Sequence, residues 1–193
     1  PPGELPVGVA GALGGPFCAG APLLAGTARL LQFPTSSPAF IENQYVTSSS
    51  ISSALRSRLR QADGPEVILL TPNEQSGQLE RLTMGVLRTR VLHELRAADR
   101  YGRLRLLCPT VGGEPGVWVH VHSKVMVIDD RLLIIGSANL CNRSMSLDTE
   151  CNVALESGGD EALARSIRTF PTSGSSSRRP GGGVRGGSVA QSP

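Results

Sequence analysis

The chain offers few cysteines and no arrangement of them that suggests a cross-linked or metal-bound fold. Its four cysteines are Cys18, Cys108, Cys141 and Cys151, and no two are closely spaced. This spacing argues against a disulfide framework and against a C-x-x-C metal site. Cys108 and Cys151 fall in apolar runs with the character of strands, so we expect them to be buried thiols.

Long hydrophobic runs are also lacking. Residues 7–31 are loosely apolar, but Gly and Pro interrupt them and no basic residue precedes them, which favours a linker over a signal peptide or a membrane span. We therefore predict that residues 1–38 are a linker or poorly ordered. Residues 170–193, rich in Gly, Ser and Arg, are predicted to be disordered. Because the chain begins Pro-Pro without an initiator methionine, we expect it to be an excised or incomplete segment.

Excess charge of one sign is lacking as well. The formal net charge is +3, and the predicted tail alone contains Arg178, Arg179 and Arg185, so the remainder is close to neutral. Such a surface lacks the electrostatic footprint needed to grip a long nucleic acid. The arginines of residues 56–60 and 88–105 are interpreted as solvated faces, with a basic surface for anionic lipid headgroups as the alternative.

Lysine is nearly absent, and its one occurrence is informative. Lys124 is the only lysine beside eighteen arginines, and it lies in an H-x-K-x4-D pattern over residues 122–129 that is followed by G-S-x-N at residues 136–139. A compact, strongly hydrated ammonium is retained here although the chain uses arginine elsewhere, and the two cations are not interchangeable beside phosphorus. We interpret the segment as a phosphate-handling site.

The first half of the pattern is predicted to lie on a strand. Residues 117–128 are apolar and rich in β-branched side chains, and the two-residue period of a strand puts His122 and Lys124 on one face. His120 shares that face, which leaves a His-x-His metal pair as an alternative. His93 lies in a Leu-rich helical stretch and is expected to be structural.

The second half is predicted to return beside the first. Asp129 begins a tight polar turn, and residues 132–137 form a second buried strand. Gly136 allows close backbone approach, and the same strand period puts Ser137 and Asn139 on one face. Imidazole, ammonium, hydroxyl and carboxamide groups then converge on one point.

These groups suit attack on phosphorus. The imidazole of His122 can attack phosphorus or shuttle a proton at neutral pH. Lys124 and Asn139 are expected to hold the non-bridging phosphoryl oxygens and to stabilise the charge that develops in the pentacoordinate state. Ser137 is expected to position the site by hydrogen bonding.

The segment and its flanks resemble the phospholipase D superfamily. The resemblance is carried by the H-x-K-x4-D and G-S-x-N residues together with Ile41-Glu42-Asn43-Gln44-Tyr45, Gly64 to Pro72, Asn142-Arg143-Ser144, Asp148 to Leu155 and Asp160 to Arg168. It covers about residues 39–169. A bare H-x-K-x4-D pattern would be weak, but these flanks in register with G-S-x-N make the resemblance specific.

The resemblance implies further roles. Glu150 stands where the family places the carboxylate that bonds the other nitrogen of the catalytic histidine, and Asp129 matches the motif aspartate, whose family role is structural and whose direct chemical role stays an alternative. Trp118 and Tyr45 are candidates to line an apolar approach for substrate, although Trp118 also suits a core or rim position. No metal or other cofactor is expected.

The family builds its active site from two facing half-sites, and this chain carries one. One histidine forms a phosphohistidine intermediate while the other protonates the leaving alcohol. The second half-site is expected either on an N-terminal portion or on a second copy of the chain. The Ile41 to Tyr45 flank favours the first arrangement, in which His122 is the acid and base.

The predicted fold is α/β, with a mixed sheet flanked by helices as in half of the family's α/β/α sandwich. The predicted catalytic domain is residues 39–169. Strands are predicted at residues 39–45, 66–70, 103–108, 117–128, 132–137 and 149–155, and helices at residues 48–61, 77–99 and 160–169.

The sequence thus predicts the C-terminal half of a phospholipase D-like or cardiolipin synthase-like enzyme that cleaves or exchanges the headgroup of a glycerophospholipid. Its expected partners are a phospholipid, the second half-site and a peripheral membrane surface, and nucleic acid is disfavoured. A cytoplasmic or membrane-adjacent location is expected, and secretion is allowed. The alternatives are a single-motif homodimeric phosphodiesterase that acts on nucleic acid and a non-catalytic binding module.

Overall fold

One mixed sheet organises the protein. The computed structural model describes residues 38–73, 81–110, 118–170 and 189–191. Its strands are β1 (Ala39–Asn43), β2 (Val67–Leu70), β3 (Leu104–Pro109), β4 (Lys124–Ile128), β5 (Leu132–Gly136), β6 (Asn152–Glu156) and β7 (Val189–Gln191). Its α-helices are α1 (Ser49–Leu59), α2 (Val86–Ala98), α3 (Asn142–Ser146) and α4 (Glu161–Arg168), and a π-helical turn (Arg81–Gly85) leads into α2.

The strands follow the spatial order β6-β5-β4-β1-β2-β3-β7. Strands β1, β2 and β3 run parallel to one another, whereas β4, β5 and β6 alternate in direction and β7 lies antiparallel to β3. The parallel strands are joined by helical crossovers, whereas the antiparallel strands β4 and β5 are joined by a short turn. The predicted α/β class with a mixed sheet and flanking helices is confirmed.

Both faces of the sheet are covered, which explains why β1 and β2 are apolar and buried along their whole length. Helix α1 presents Ile51, Leu55 and Leu59 at helical spacing to one face, where they join Leu95 of α2 in a single hydrophobic cluster. The other face packs against Ile167 of α4 in a second cluster. The result is an α/β/α arrangement.

The turn between β4 and β5 is tight. Asp129 and Asp130 have φ values of 56° and 54°, and the Arg131 amide donates to the Ile128 carbonyl over 3.1 Å. Two successive positive φ values match the right-handed twist of the flanking strands, and Asp tolerates this conformation better than most residues. Asp130 also pairs with Arg168 of α4 at 3.2 Å.

Several predicted boundaries are corrected. The strand predicted at residues 117–128 begins only at Lys124, and the strand predicted at residues 149–155 begins at Asn152. Cys108 is buried as predicted, but Cys151 is exposed. The short helix α3 was not predicted.

The predicted terminal segments fall largely outside the described residues. These include residues 1–37 of the expected linker and residues 171–188 of the expected tail, together with the start of the helix predicted at residues 77–99. Within the expected tail, Val189–Gln191 forms β7. Among the described helices, none has the length and apolar character needed to cross a membrane.

Candidate active site

The predicted site residues gather along one edge of the sheet. Because β1 and β4 are antiparallel, the carboxyl end of β1 meets the amino end of β4, and Asn43 pairs with Lys124. Two strands further on, Gly136 at the end of β5 pairs with Asn152 at the start of β6. These four residues form a row across four strands, and the polar segments that flank the strands meet at the same edge.

Lys124 is buried within this row. The residue is 9% exposed, and its ammonium donates to the His122 carbonyl oxygen over 2.6 Å and to Gln44 Oε1 over 3.4 Å. Burial lowers the pKa of Lys124, and the negative charge of Glu150 partly opposes this shift. The ammonium is therefore held in place by oxygen acceptors before any substrate arrives.

A small cavity lies beside the lysine. It has a volume of about 10 Å³ and is lined by Asn43, Lys124 and Asn152 among apolar side chains. This is room for about one water molecule. A group much larger than a water molecule does not fit in this cavity.

His122 is exposed and lies just before β4, not within it. The alternation of side chains along a strand therefore does not determine the direction of the His122 side chain relative to that of Lys124. No described residue forms a hydrogen bond with its imidazole. The ring stacks with that of His120, with the two centroids 6.4 Å apart.

Glu150 forms its hydrogen bond with Ser137. The Ser137 hydroxyl donates to Glu150 Oε2 and accepts from the Cys151 amide over 2.9 Å. The Ser137 amide in turn donates to the Cys151 carbonyl over 2.9 Å. The end of β5 is thus tied to the segment before β6, and the Glu150 carboxylate is engaged with Ser137 rather than with the imidazole of His122.

Asn139 has unused hydrogen-bonding capacity. It is partly buried in the loop after β5, and its Oδ1 atom is shielded from solvent without a hydrogen-bond partner among the described residues. A buried polar atom left in this state is costly. The unpaired atom is an acceptor, so only a group that donates a hydrogen bond could satisfy it.

Two buried asparagines hold the loop that carries Asn139, and the sequence reasoning assigned neither of them a role. Asn43 Oδ1 accepts from the Leu140 amide over 3.1 Å, and its Nδ2 donates to the Ala138 carbonyl over 3.5 Å. Asn152 Oδ1 accepts from the Ala138 amide over 3.3 Å. The available signal was a polar residue at the end of an apolar strand, which in a covered sheet must be hydrogen-bonded.

Gly136 makes room for this arrangement. A Cβ atom at this position would lie 2.0 Å from Asn152 Oδ1 and 2.5 Å from the Cys151 carbonyl oxygen. The glycine expected to permit close backbone approach does so, and the group that approaches is the side chain of Asn152.

Of the remaining predicted site residues, Trp118 and Asp129 lie apart from Lys124, whereas Tyr45 is linked to it through Gln44. Tyr45 follows β1 at the site edge, and its hydroxyl accepts from Gln44 Nε2 over 3.3 Å. Trp118 pairs with Thr110 beyond the end of β3, on the far side of β1 and β2 from β4. Asp129 lies in the turn at the opposite end of β4, so the structure does not bring it together with the site groups.

No metal centre is evident among the described residues. Although His120 and His122 stack, no cluster of three or more His, Cys, Asp or Glu side chains suited to a metal ion occurs in the described ranges. The candidate site is therefore built from an imidazole, an ammonium, a hydroxyl, a carboxylate and carboxamides.

A family model matches most of the chain. The family model described as "Cardiolipin synthase, PLD-like domain" matches residues 35–171, which is well over half of the chain. The chain belongs to this family, within the phospholipase D superfamily, and the resemblance inferred from the motifs is confirmed.

Curated relatives match locally. Phospholipase D zeta 1 of Arabidopsis thaliana is 52% identical over 40 residues, a match that spans 20% of this chain and 4% of that protein. Cardiolipin synthase 2 of Staphylococcus epidermidis is 44% identical over 48 residues, which is 25% of this chain and 9% of that protein. The matches thus span less than a tenth of the length of these relatives.

Solved structures match over most of the chain. NucT from Helicobacter pylori has a TM-score of 0.57 and 15% identity, with 84% of this chain and 91% of that chain covered. Nuc from Salmonella typhimurium, a phospholipase D family member, has a TM-score of 0.54 and 15% identity, with 83% and 88% covered. At such identities the likeness establishes the fold.

Proposed function

We propose that this chain supplies one half-site of a phosphodiesterase that hydrolyses glycerophospholipids or exchanges their headgroups through a phosphohistidine intermediate. The observation that carries the proposal is the setting of the only lysine. Its buried ammonium is hydrogen-bonded to the backbone of an exposed histidine, at the sheet edge that also carries Asn139. A preorganised donor such as this ammonium stabilises charge that develops on phosphoryl oxygens.

In the proposed first step, a histidine of the other half-site attacks phosphorus and forms a P–N bond. The P–O bond to the headgroup breaks, and protonated His122 gives its proton to the leaving oxygen. In the second step, neutral His122 takes a proton from water or an alcohol. The oxygen of that molecule attacks phosphorus, and the P–N bond breaks. Lys124 and Asn139 hold the non-bridging oxygens throughout.

The proposed roles of the other residues follow from their positions. Ser137, tied to Glu150, orients the chain around Asn139. Tyr45 lies at the site edge and supports an apolar approach for a lipid substrate, with Trp118 further along the same edge. Asp129 acts in the hairpin turn, remote from the chemistry. The working location is then a membrane surface that the protein approaches from outside the bilayer.

The descriptions of the matching family and of the relatives support a lipid substrate. The matching family is described as a cardiolipin synthase domain, and the local relatives are a phospholipase D and a cardiolipin synthase. A near-neutral folded region also disfavours a long polyanion as substrate.

A second candidate is a homodimeric phosphodiesterase that acts on nucleic acid. The chain contains one H-x-K pattern, and two copies about a two-fold axis would supply both histidines. A module that binds lipid or protein without catalysis is the remaining alternative.

Alcohol competition tests the lipid assignment. The assembled enzyme, meaning the chain with its second half-site, is given phosphatidylcholine in mixed micelles with ethanol or butanol. We expect a phosphatidyl-alcohol product, because deprotonated His122 can activate either water or alcohol. Cleavage of single-stranded DNA with phosphatidylcholine left intact would establish the nuclease alternative instead.

The state of assembly tests the half-site assignment. We expect a monomer of this chain to turn over phosphodiesters at a negligible rate, and addition of an N-terminal half to restore activity. Light scattering during the assay identifies the active species. Robust turnover by a monomer would contradict the two-half-site proposal, whereas an active dimer of this chain alone would place the second half-site in a second copy.

Chelation tests the chemistry. Lys124 and Asn139 supply the charge stabilisation in this proposal, so EDTA should leave hydrolysis of a soluble short-chain phospholipid unchanged. Loss of that activity with EDTA, followed by recovery with zinc, would instead support a metal site at His120 and His122.

A further inference from the structure

A second carboxylate lies close to the reactive segment. Glu42 on β1 is 2% exposed, and it accepts a hydrogen bond from the hydroxyl of Ser123. Its side chain lies on the sheet face opposite to that of Asn43, the same face as Phe40 and Val125. A carboxylate in such surroundings is costly unless it is hydrogen-bonded, so its bond to Ser123 is a constraint on both residues.

Ser123 lies between His122 and Lys124. Residues 121–123 precede β4, so the sheet ladder does not fix them. Val121 is 3% exposed and packs with Phe40 and Val127 in the core of the same sheet face. The residues on both sides of His122 are therefore anchored to one face of the sheet.

A third contact fixes the histidine backbone from the other direction. The carbonyl oxygen of His122 accepts from the Lys124 ammonium over 2.6 Å. The imidazole itself has no hydrogen-bond partner among the described residues and is exposed. Its direction is thus set through its own backbone, which Val121, Ser123 and Lys124 hold at three points.

We propose that Glu42, acting through Ser123, is a positioning residue that sets the orientation of the His122 imidazole. An apolar anchor such as Val121 resists withdrawal from the core but tolerates rotation, whereas a hydrogen bond to a buried carboxylate is directional. Reactive groups must be held within about 0.5 Å of their productive geometry, and a displacement of about 1 Å can cost about a hundredfold in rate. This positioning role depends on the proposed phosphodiesterase function only in the tests that measure activity.

A matched pair of substitutions isolates the hydroxyl. Ser123→Thr keeps the hydroxyl and adds a methyl group, whereas Ser123→Val has nearly the shape of threonine without the hydroxyl. Glu42→Gln keeps the shape and an acceptor oxygen but removes the charge. Thermal unfolding of all three is recorded first. If Ser123→Thr folds and Ser123→Val does not, the hydroxyl serves folding and the positioning role is overturned.

The first readout does not depend on activity. The chain has three histidines, so imidazole spectra of protein labelled with ¹⁵N-histidine resolve them. In Ser123→Val we expect the His122 signals to shift and broaden, while those of His93 on α2 remain in place. Ser123→Thr should restore the wild-type spectrum, and Glu42→Gln should give an intermediate one. Superimposable His122 signals in wild type and Ser123→Val would overturn the proposal.

The second readout separates orientation from binding in the assembled enzyme. We expect Ser123→Val to lower kcat by about tenfold or more with KM changed by less than about twofold, since substrate contacts are intact but the reacting imidazole is misplaced. Ser123→Thr should rescue kcat, and adding Glu42→Gln to Ser123→Val should lower it no further. If the losses of kcat from Glu42→Gln and Ser123→Val add in the double variant, Glu42 does not act through Ser123.

The two readouts distinguish the failure of each proposal. Changed His122 signals in a protein that is inactive toward phosphodiesters even as wild type would leave the positioning role standing and reject the proposed function. Unchanged His122 signals in an active enzyme would reject the positioning role and leave the proposed function standing.

Discussion

The site has two serine–glutamate pairs, and they differ in burial. Ser123 and Glu42 join the segment before β4 to β1, and the carboxylate is 2% exposed. Ser137 and Glu150 join the end of β5 to the segment before β6, where the serine is exposed and the glutamate partly buried. A serine–glutamate hydrogen bond therefore lies on each side of Lys124, with a buried carboxylate on one side and a more exposed pair on the other.

The difference separates a fixed side of the site from an adjustable one. Breaking the buried pair would remove a hydrogen bond from a carboxylate that is shielded from water, whereas water can replace either partner of the exposed pair at little cost. We infer that the β1 and β4 side is the more rigid part of the site.

The largest effect is expected at His122, which projects from the fixed side into solvent. Substituting His122→Ala should lower phosphodiester turnover by the assembled enzyme by about 10²–10⁴-fold, the range of general acid–base assistance. His120→Ala is the matched control, because both histidines are exposed in the same segment and their rings stack. Turnover of soluble phosphodiester substrate measures both.

The control also defines the contradicting result. His120→Ala should stay within about threefold of the wild-type rate, since the proposed mechanism gives it no proton to move. Equal losses of turnover in His122→Ala and His120→Ala would mean that the two stacked histidines act as a unit.

The next largest effect is expected at Lys124. Lys124 is 9% exposed and its ammonium meets two oxygen acceptors, so the wider guanidinium of Lys124→Arg does not fit its place. We expect a loss of about 10²–10³-fold in kcat, as for removal of a donor that stabilises transition-state charge. Folding is checked by near-ultraviolet circular dichroism. A folded Lys124→Arg enzyme with wild-type kcat would show that any cation suffices.

A smaller effect, on stability, is expected at Asn43. Its carboxamide oxygen accepts from the Leu140 and Tyr45 amides over 3.1 Å each, so Asn43→Ala removes the acceptor of one buried and one half-buried amide. We expect the free energy of unfolding to fall by about 1–3 kcal/mol. Asn142→Ala is the control, because its Oδ1 accepts from the Ser49 amide in an exposed contact over 3.3 Å. Urea unfolding of both variants provides the measurement, and equal losses would contradict the contrast between buried and exposed anchors.

A pH dependence should reveal the burial of Lys124. Because burial lowers the pKa of Lys124, the folded protein binds fewer protons there than the unfolded chain between the lowered pKa and the ordinary value of 10.5. The free energy of unfolding should therefore rise with pH across that window, relative to Lys124→Met, which has no charge to lose. Urea unfolding of the two proteins at increasing pH gives the difference. A difference that falls with pH would mean that the folded state favours the charged lysine.

The sequence predicted the interior of the sheet better than its site edge. Apolar runs such as residues 66–70 and 132–137 became strands because both faces of the sheet are covered. The predicted strand at residues 117–128 was too long because β1 ends at Asn43, the partner of Lys124, and residues before Lys124 have no partner on β1. A local apolar pattern contains no information about where the neighbouring strand stops.

The candidate site was predictable as a set of groups but not as a set of contacts. The motif spacing identified His122, Lys124 and Asn139, and the structure places all three at one sheet edge. The sequence assigned no role to Asn43 or Glu42, which it marked only as part of the Ile41 to Tyr45 segment, because their importance lies in bonds to residues more than eighty positions away. Such long-range partners follow from strand order, which local periodicity does not determine.

The smallest effect is expected at Asp129, although it belongs to the sequence motif. It lies five residues from Lys124 along β4, which at a strand rise of about 3.3 Å per residue is about 16 Å, and its φ of 56° is the left-handed conformation that Asn also tolerates. Asp129→Asn should change turnover by less than about twofold and the free energy of unfolding by less than about 0.5 kcal/mol. Asp129→Val should instead destabilise by about 1–2 kcal/mol, because a β-branched residue is strained in this conformation. Urea unfolding and turnover of both variants measure these effects. A stable Asp129→Asn enzyme that has lost more than tenfold in kcat would show that the carboxylate acts on the site from the far end of β4, contrary to the turn role proposed for it.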